Sequence, residues 1–274
     1  MAVRQRFKGL MSYTRSHWPT FFLIYGALIL ALFLLGVGLL FDLYSFIPFA
    51  VAIAIIAGYA LAYFLWIGHQ LYDIDDETPA DILIRLSQIQ TYEQVACIDL
   101  GLRDTGIAIA KHLITGRCVV IDVYNPQSHP NSTLRRARSQ TIKTIPDPRL
   151  TWIDGNFELL SLPDNSVAAV FLVEIFSEFW LPEERKQLLD EVWRILIPEG
   201  RLLLAERVQT QRNLFLSGLL TSSKPTISTL RSMLEKAGFI LQKEESRHNI
   251  LYCVRAFKPS PSAGKQMTLS LEYV

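Results

Sequence analysis

Hydrophobic residues are concentrated near the start of this chain. Phe21–Phe41 is a run of 21 residues without a charge, and Phe46–Ile67 has 22. Between Pro19 and His69, Asp42 is the only Asp, Glu, Lys or Arg. At about 1.5 Å per residue, either run spans roughly 30 Å as a helix. Helices apolar on every face over such a length suit hydrocarbon better than a protein core. The first run is too long for the core of a signal peptide, and a second follows at once. Asp42–Ser45 leaves four residues for the turn, so the pattern predicts a transmembrane helical hairpin over 21–67.

Beyond the hairpin the pattern changes. Leu71–Pro79 is acidic and polar and reads as a linker, and Thr78-Pro79 can open a helix that Ala80–Ile89 continues. Strands are then predicted over 94–100, 117–123, 150–153, 167–173 and 200–205. Helices are predicted over 105–113, 132–139, 182–197 and 227–237. Two strands, 239–245 and 249–257, close the pattern. This alternation predicts an α/β fold, a doubly wound, mostly parallel seven-stranded sheet preceded by the two-helix hairpin. The last two strands lie too close for a parallel crossover and must be antiparallel. The expected organisation is a basic N-terminus (1–20), the hairpin (21–67), a linker and leading helix (68–92), the α/β domain (93–258) and a loose tail (259–274).

Charge adds an orientation. The first twenty residues carry Arg4, Arg6, Lys8 and Arg15 and no acid. The positive-inside tendency places that end in the cytoplasm, and a hairpin returns the chain to the same side. The expectation is an integral membrane protein with two transmembrane helices, the lipid bilayer as partner and the α/β domain cytoplasmic. Residues 69–274 carry 23 bases and 25 acids, a balance that gives no reason to expect nucleic-acid binding. Cys97, Cys118 and Cys253 are odd in number and lack metal-ligand spacing. They read as buried small hydrophobes in a reducing compartment, with no metal site.

Candidate chemistry starts at Val95–Gly106. An apolar strand ends in Asp99, turns at Gly101 and reaches Gly106 as a helix begins. Such strand–turn–helix junctions form the mouth of nucleotide pockets in α/β folds. Asp122 closes the next strand, where a carboxylate can accept two hydrogen bonds from a ribose diol. Gly101, Arg103 and Gly106 have the spacing of a dinucleotide fingerprint with its middle glycine replaced. Asp99-Leu-Gly101 equally opens the D-x-G-x-G-x-G loop of S-adenosylmethionine (SAM) enzymes. The loop alone leaves both open.

Three later blocks are more specific. Leu162-Pro163-Asp164-Asn165-Ser166 precedes the fourth strand. Glu191-Val-Trp-Arg194-Ile-Leu-Ile-Pro198-Glu-Gly200 precedes the fifth, and Ala237-Gly238-Phe239 the sixth. In this order and spacing, residues 93–258 resemble the class I SAM-dependent methyltransferases, in particular the type 11 group that includes ubiquinone and menaquinone methyltransferases. The resemblance does not cover the hairpin. It implies a Rossmann-like methyltransferase sheet with SAM as cofactor. Gly101 would admit the methionine portion, and Asp99 would support the loop or accept from the amino group. Arg103 and Gly106 would complete the loop, Asp122 would take the ribose hydroxyls, and Asn156 with Phe157 would read the adenine. Glu174 and Phe176–Glu178 follow the fourth strand, where substrate and methyl meet, making Glu174 and Glu178 the candidate bases.

The chain departs from that pattern at several positions. Arg103 brings bulk and charge toward a sulfonium, although it could also clasp the SAM carboxylate. Ala168 replaces a frequent Asp, and Ser177 and Glu178 stand where the quinone enzymes often carry two histidines. Arg135, Arg136, Arg138 and Lys143 form a basic cluster, read as a solvated helix face or as a contact with anionic lipid. Phe179 and Trp180 would line an apolar substrate pocket or pack in the core. Apolar residues within 213–220 suggest a substrate lid or a packing helix. The expected function is a membrane-anchored SAM-dependent methyltransferase acting on a small or lipophilic acceptor at the cytoplasmic membrane face. The alternative is a non-catalytic SAM-binding or interaction module on the same tether.

Overall fold

The computed structural model describes residues 11, 14–15, 17–72, 77–129, 131–141, 146–208, 225–247 and 250–260. They fall into two compact units, 1–76 and 77–274.

In the first unit, α1 (Trp18–Leu40) and α2 (Ile47–Tyr72) pack as a hairpin. A short 3-10 turn over Tyr44–Phe46 joins them, with Asp42 in the left-handed region at φ 56°. Small residues line the contact: Ala31, Gly38, Ala50 and Ala57 are buried, and the Phe21 and Phe64 rings meet edge-on at 6.2 Å. Small side chains let backbones approach closely, which is how helices associate without a hydrophobic drive between them. Phe22, Leu32, Phe33, Phe49, Ile55 and Ile56 point outward. By length and composition alone, both helices are able to cross a membrane.

The second unit opens with α3 (Pro79–Ser87). A capping box between Thr78 and Asp81 starts it, and Gln88 in the left-handed region at φ 52° ends it. Its last carbonyls accept from Arg201 and Arg255, so this helix is bound to the sheet rather than forming part of a free linker. The remaining elements are β1 (Gln94–Asp99), α4 (Asp104–His112), β2 (Arg117–Asp122), α5 (Ser132–Ser139), β3 (Leu150–Asp154), β4 (Val167–Val173), α6 (Pro182–Ile195), β5 (Leu196–Arg207), α7 (Ile227–Lys236), β6 (Ile240–Arg247) and β7 (Leu251–Phe257).

The sheet order is β3-β2-β1-β4-β5-β7-β6. The first five strands in that order are parallel, and β7 runs antiparallel to both β5 and β6. The sheet is therefore mixed, with the antiparallel pair where the short spacing required it. Strand order reverses between β1 and β4, and ligands of such sheets bind in the crevice at the carboxyl ends there. β5 begins four residues before the predicted strand. Pro198 and Gly200 suggest a break, but the chain passes through them as a bulge: Val167 pairs with Leu196 and Ala169 with Arg201, with Glu199 at φ 64°. Cys97, Cys118 and Cys253 are all buried, and burial pushes the thiols of Cys118 and Cys253 up to about 12.

The three resemblance blocks converge on the end of α6. Arg194 donates to Leu160 O (3.0 Å), Leu162 O (2.9 Å) and Asp164 (2.6 Å), and pairs with Glu191 at 2.7 Å. Glu191 in turn accepts from Leu160 N–H at 2.8 Å. The Arg194 guanidinium holds the Glu191 carboxyl below its ordinary value. Gly238, at φ 91°, lies against the neighbouring Trp193, which meets Phe239 edge-on at 5.0 Å. These blocks form a structural clasp.

Candidate functional site

The register of the sheet sets the site. Asp99 pairs with Asp122 across β1 and β2, and Asp122 with Asp154 across β2 and β3, so three carboxylates stand in a row at the carboxyl edge. Asp99 is buried and turned onto its own loop. Its Oδ1 accepts from Leu100 N–H (2.7 Å) and Leu102 N–H (3.2 Å), and its Oδ2 from Arg103 N–H (2.6 Å). Burial pushes its carboxyl above the ordinary value, and the three N–H donors oppose that shift. Of the two roles expected for Asp99, the geometry supplies loop support.

Gly101 sits at φ 79°, a conformation that favours glycine. A Cβ there would lie 1.8 Å from Arg138 Nη1 and 2.8 Å from Asp122 Oδ2. The loop thus forms a cradle against which another group lies closely, and that group is the guanidinium of Arg138. Its Nη1 donates to both Asp122 oxygens, at 2.9 and 2.8 Å, and to the Leu100 carbonyl. Its Cζ stacks 4.0 Å from the centre of the Tyr124 ring.

Arg103 does not fill the cradle. Held at φ 68° as the N-cap of α4, it sends its side chain over the Trp152 ring at 5.3 Å. Gly106 has a packing role: a Cβ there would lie 2.5 Å from Val120 Cγ2, so the glycine lets α4 rest on β2. Asn156 is exposed in the turn after β3, its Oδ1 accepting from Glu158 N–H at 3.2 Å. Phe157 is buried edge-on against Phe179 at 5.1 Å.

The two candidate bases already have partners. Glu174, at φ 53°, forms a forked pair with Arg207, both contacts at 2.8 Å. Glu178 accepts from Asn131 Nδ2 at 3.0 Å, and Asn131 also caps α5. Phe179 belongs to the core, whereas Trp180 and Leu181 stand exposed. Residues 213–220 and Lys143 lie outside the described residues.

Three groups here were not singled out from the sequence in these roles. Arg138 occupies the cradle. Glu206 is fully buried at the end of β5. Its Oε2 accepts from Phe176 N–H at 2.8 Å, while its Oε1 has no partner among the described residues. Burial, with Glu174 nearby, pushes its carboxyl up to about 7. His129 is buried between Tyr124 and Phe179, with its Nε2 unpartnered among the described residues, and burial lowers its pKa.

Residues 90–204 match the family model described as a methyltransferase domain. The globular unit has the SAM-dependent methyltransferase fold. Among solved structures, the 4+2 cyclase SpnF aligns over 66% of this chain and 79% of its own, at 15% identity and a TM-score of 0.51. A chain from the complex of the Haloferax volcanii Trm112 methyltransferase activator aligns over 66% and 89%, at 15% identity and 0.52. A methyltransferase from Bacillus halodurans C-125 aligns over 66% and 99%, at 14% identity and 0.50. At such identities these likenesses establish the fold alone, and a cyclase is among them. No curated protein sequence matches the chain. The methyltransferase-domain match indicates SAM as the cofactor. The cradle fits it in backbone terms: a glycine turn braced by Asp99, with the Asp122 carboxylate beside it. Arg138 stands where a ribose diol would meet Asp122.

Proposed function

We propose that the chain is a membrane-anchored SAM-dependent methyltransferase, of the kind that includes the ubiquinone and menaquinone enzymes. It works at the cytoplasmic membrane face on a small or lipophilic acceptor. The observation that carries this reading is the placement of Gly101 and Asp122 side by side at the carboxyl ends of β1 and β2, next to the strand-order reversal. Gly101 would receive the methionine portion against bare backbone, Asp122 the ribose hydroxyls, and Asn156 the adenine amino group through its amide oxygen. When bound, SAM supplies a methyl group already activated on a sulfonium.

The chain's own residues then have a limited task. Asp99 keeps the loop in one conformation, so the methyl and the acceptor meet in line. A base is needed only for an acceptor that is not already acidic. Glu174 and Glu178, which follow β4, are the candidates for that role; Glu174 would first have to leave Arg207, and Glu178 the Asn131 amide. Exposed Trp180 and Leu181, following the same strand, favour an apolar acceptor. Only 17% and 11% of the apolar windows of the two helices are buried, which supports insertion in lipid. Anchoring raises the effective concentration of membrane-dissolved acceptors. A reporter fused after Leu71 is expected to read cytoplasmic.

The test is transfer of labelled methyl from SAM to a membrane-lipid extract by the full chain in nanodiscs. Label in the organic phase, lost in Asp122→Ala, is expected; SAM binding with no transfer to any extract would reject the enzyme. That result would favour the second reading, a non-catalytic tethered module, which the Arg138–Asp122 contact also suits.

A further inference from the structure

Asp122 holds more than its register position requires. Besides the two contacts from Arg138, its Oδ1 accepts from Tyr124 N–H at 3.0 Å. A carboxylate has about four lone-pair sites, so a vicinal diol, which needs two of them, cannot be added while the guanidinium remains. The guanidinium also covers the Gly101 backbone, where a Cβ would lie 2.4 Å from Arg138 Cζ. One segment thus covers both the surface expected to receive the methionine portion and the carboxylate expected to receive the ribose.

That segment is fastened at both ends. At its start, the α5 cap residue Asn131 donates to Glu178. At its end, Arg138 holds the Leu100 carbonyl, and Thr141 Oγ1 donates to Gly101 O at 3.3 Å.

We propose that Arg138 is a built-in competitor for the nucleoside site, holding on Asp122 the place that a ligand's diol must take. The proposal rests on the reading that Asp122 receives the ribose. The contact is suited to exchange. A single nitrogen, Nη1, spans both carboxylate oxygens, without the two-nitrogen fork that makes the strongest guanidinium pairs. The pair is also partly open to water, with side chains 27% and 22% exposed. A ligand carrying a diol displaces the guanidinium and then uses the same carboxylate, so its observed affinity is reduced by the strength of the contact it breaks. Arg138 therefore sets the affinity and selectivity of the site without being a catalytic residue.

The experiment is calorimetric titration of S-adenosylhomocysteine into the full chain in detergent micelles, comparing wild type with Arg138→Met. Methionine keeps an apolar stem over Tyr124 and removes the donors. Binding to the variant should tighten about fivefold, or about 1 kcal/mol. Equal or weaker binding to a folded variant, with the wild type binding, overturns the competitor and leaves the Asp122 reading standing. Binding to neither overturns both. If Arg138→Met does not fold, Arg138→Gln is judged by the same criteria.

Discussion

Asp99 and Asp122 are register partners across β1 and β2, yet their carboxylates have different partners. Asp99 is bound by three backbone N–H groups of its own loop, and Asp122 by one backbone N–H, that of Tyr124, and by a side chain from another element. Their substitutions should therefore separate. Asp99→Ala leaves three loop donors without an acceptor and should cost about 3 kcal/mol in urea unfolding. Asp122→Ala should cost about 1 kcal/mol or less while removing measurable binding of SAM.

The clasp around Arg194 makes a different prediction. Its guanidinium holds two carbonyls of the turn before β4 together with Glu191 and Asp164. Arg194→Met should lower stability by about 3 kcal/mol and leave cofactor affinity of the folded protein unchanged. A variant of normal stability with weakened binding would place Arg194 in the site instead.

Gly106 is a packing glycine, which a paired substitution can show. Gly106→Ala drives a methyl toward Val120 Cγ2 and should cost about 1–3 kcal/mol. Adding Val120→Ala removes the clash and should recover part of that loss. No recovery would mean that the glycine serves the loop and not the helix contact.

Glu206 ties stability to pH. Burial pushes its carboxyl from an ordinary value of 4.5 up to about 7. Between those values the folded state binds more protons, so stability falls as pH rises through the window, and the cost is complete above it. Glu206→Gln keeps an acceptor for Phe176 N–H and cannot ionise. It should match the wild type at about pH 4 and exceed it by about 3 kcal/mol at about pH 8. Equal differences at both pH values would show that folding does not shift the Glu206 carboxyl.

Much of the fold was legible because it is local. Alternating apolar segments bounded by Gly, Pro and Asp place most elements within a residue or two, and the helix over 132–139 and the strand over 167–173 match throughout. The site was less legible because its decisive contacts are distant in sequence. Arg138 reaches Leu100 across 38 residues from a basic helix in which only Leu134 is buried, and nothing in that pattern distinguishes an inward arginine from a solvated one. Glu206 ends an apolar run and reads like any acid at a strand end; only the packing above it shows that it is buried. Arg103, the residue most expected to obstruct the loop, turns onto Trp152 because its left-handed backbone directs it there.

The most direct measurement is equilibrium binding of SAM to the full chain in detergent, wild type beside Asp122→Ala. Saturable binding at one site per chain, lost in the variant, is the expected result. Absence of binding by the wild type at millimolar SAM, or binding indifferent to Asp122, would contradict the assignment of the carboxyl ends of β1 and β2 as the cofactor site.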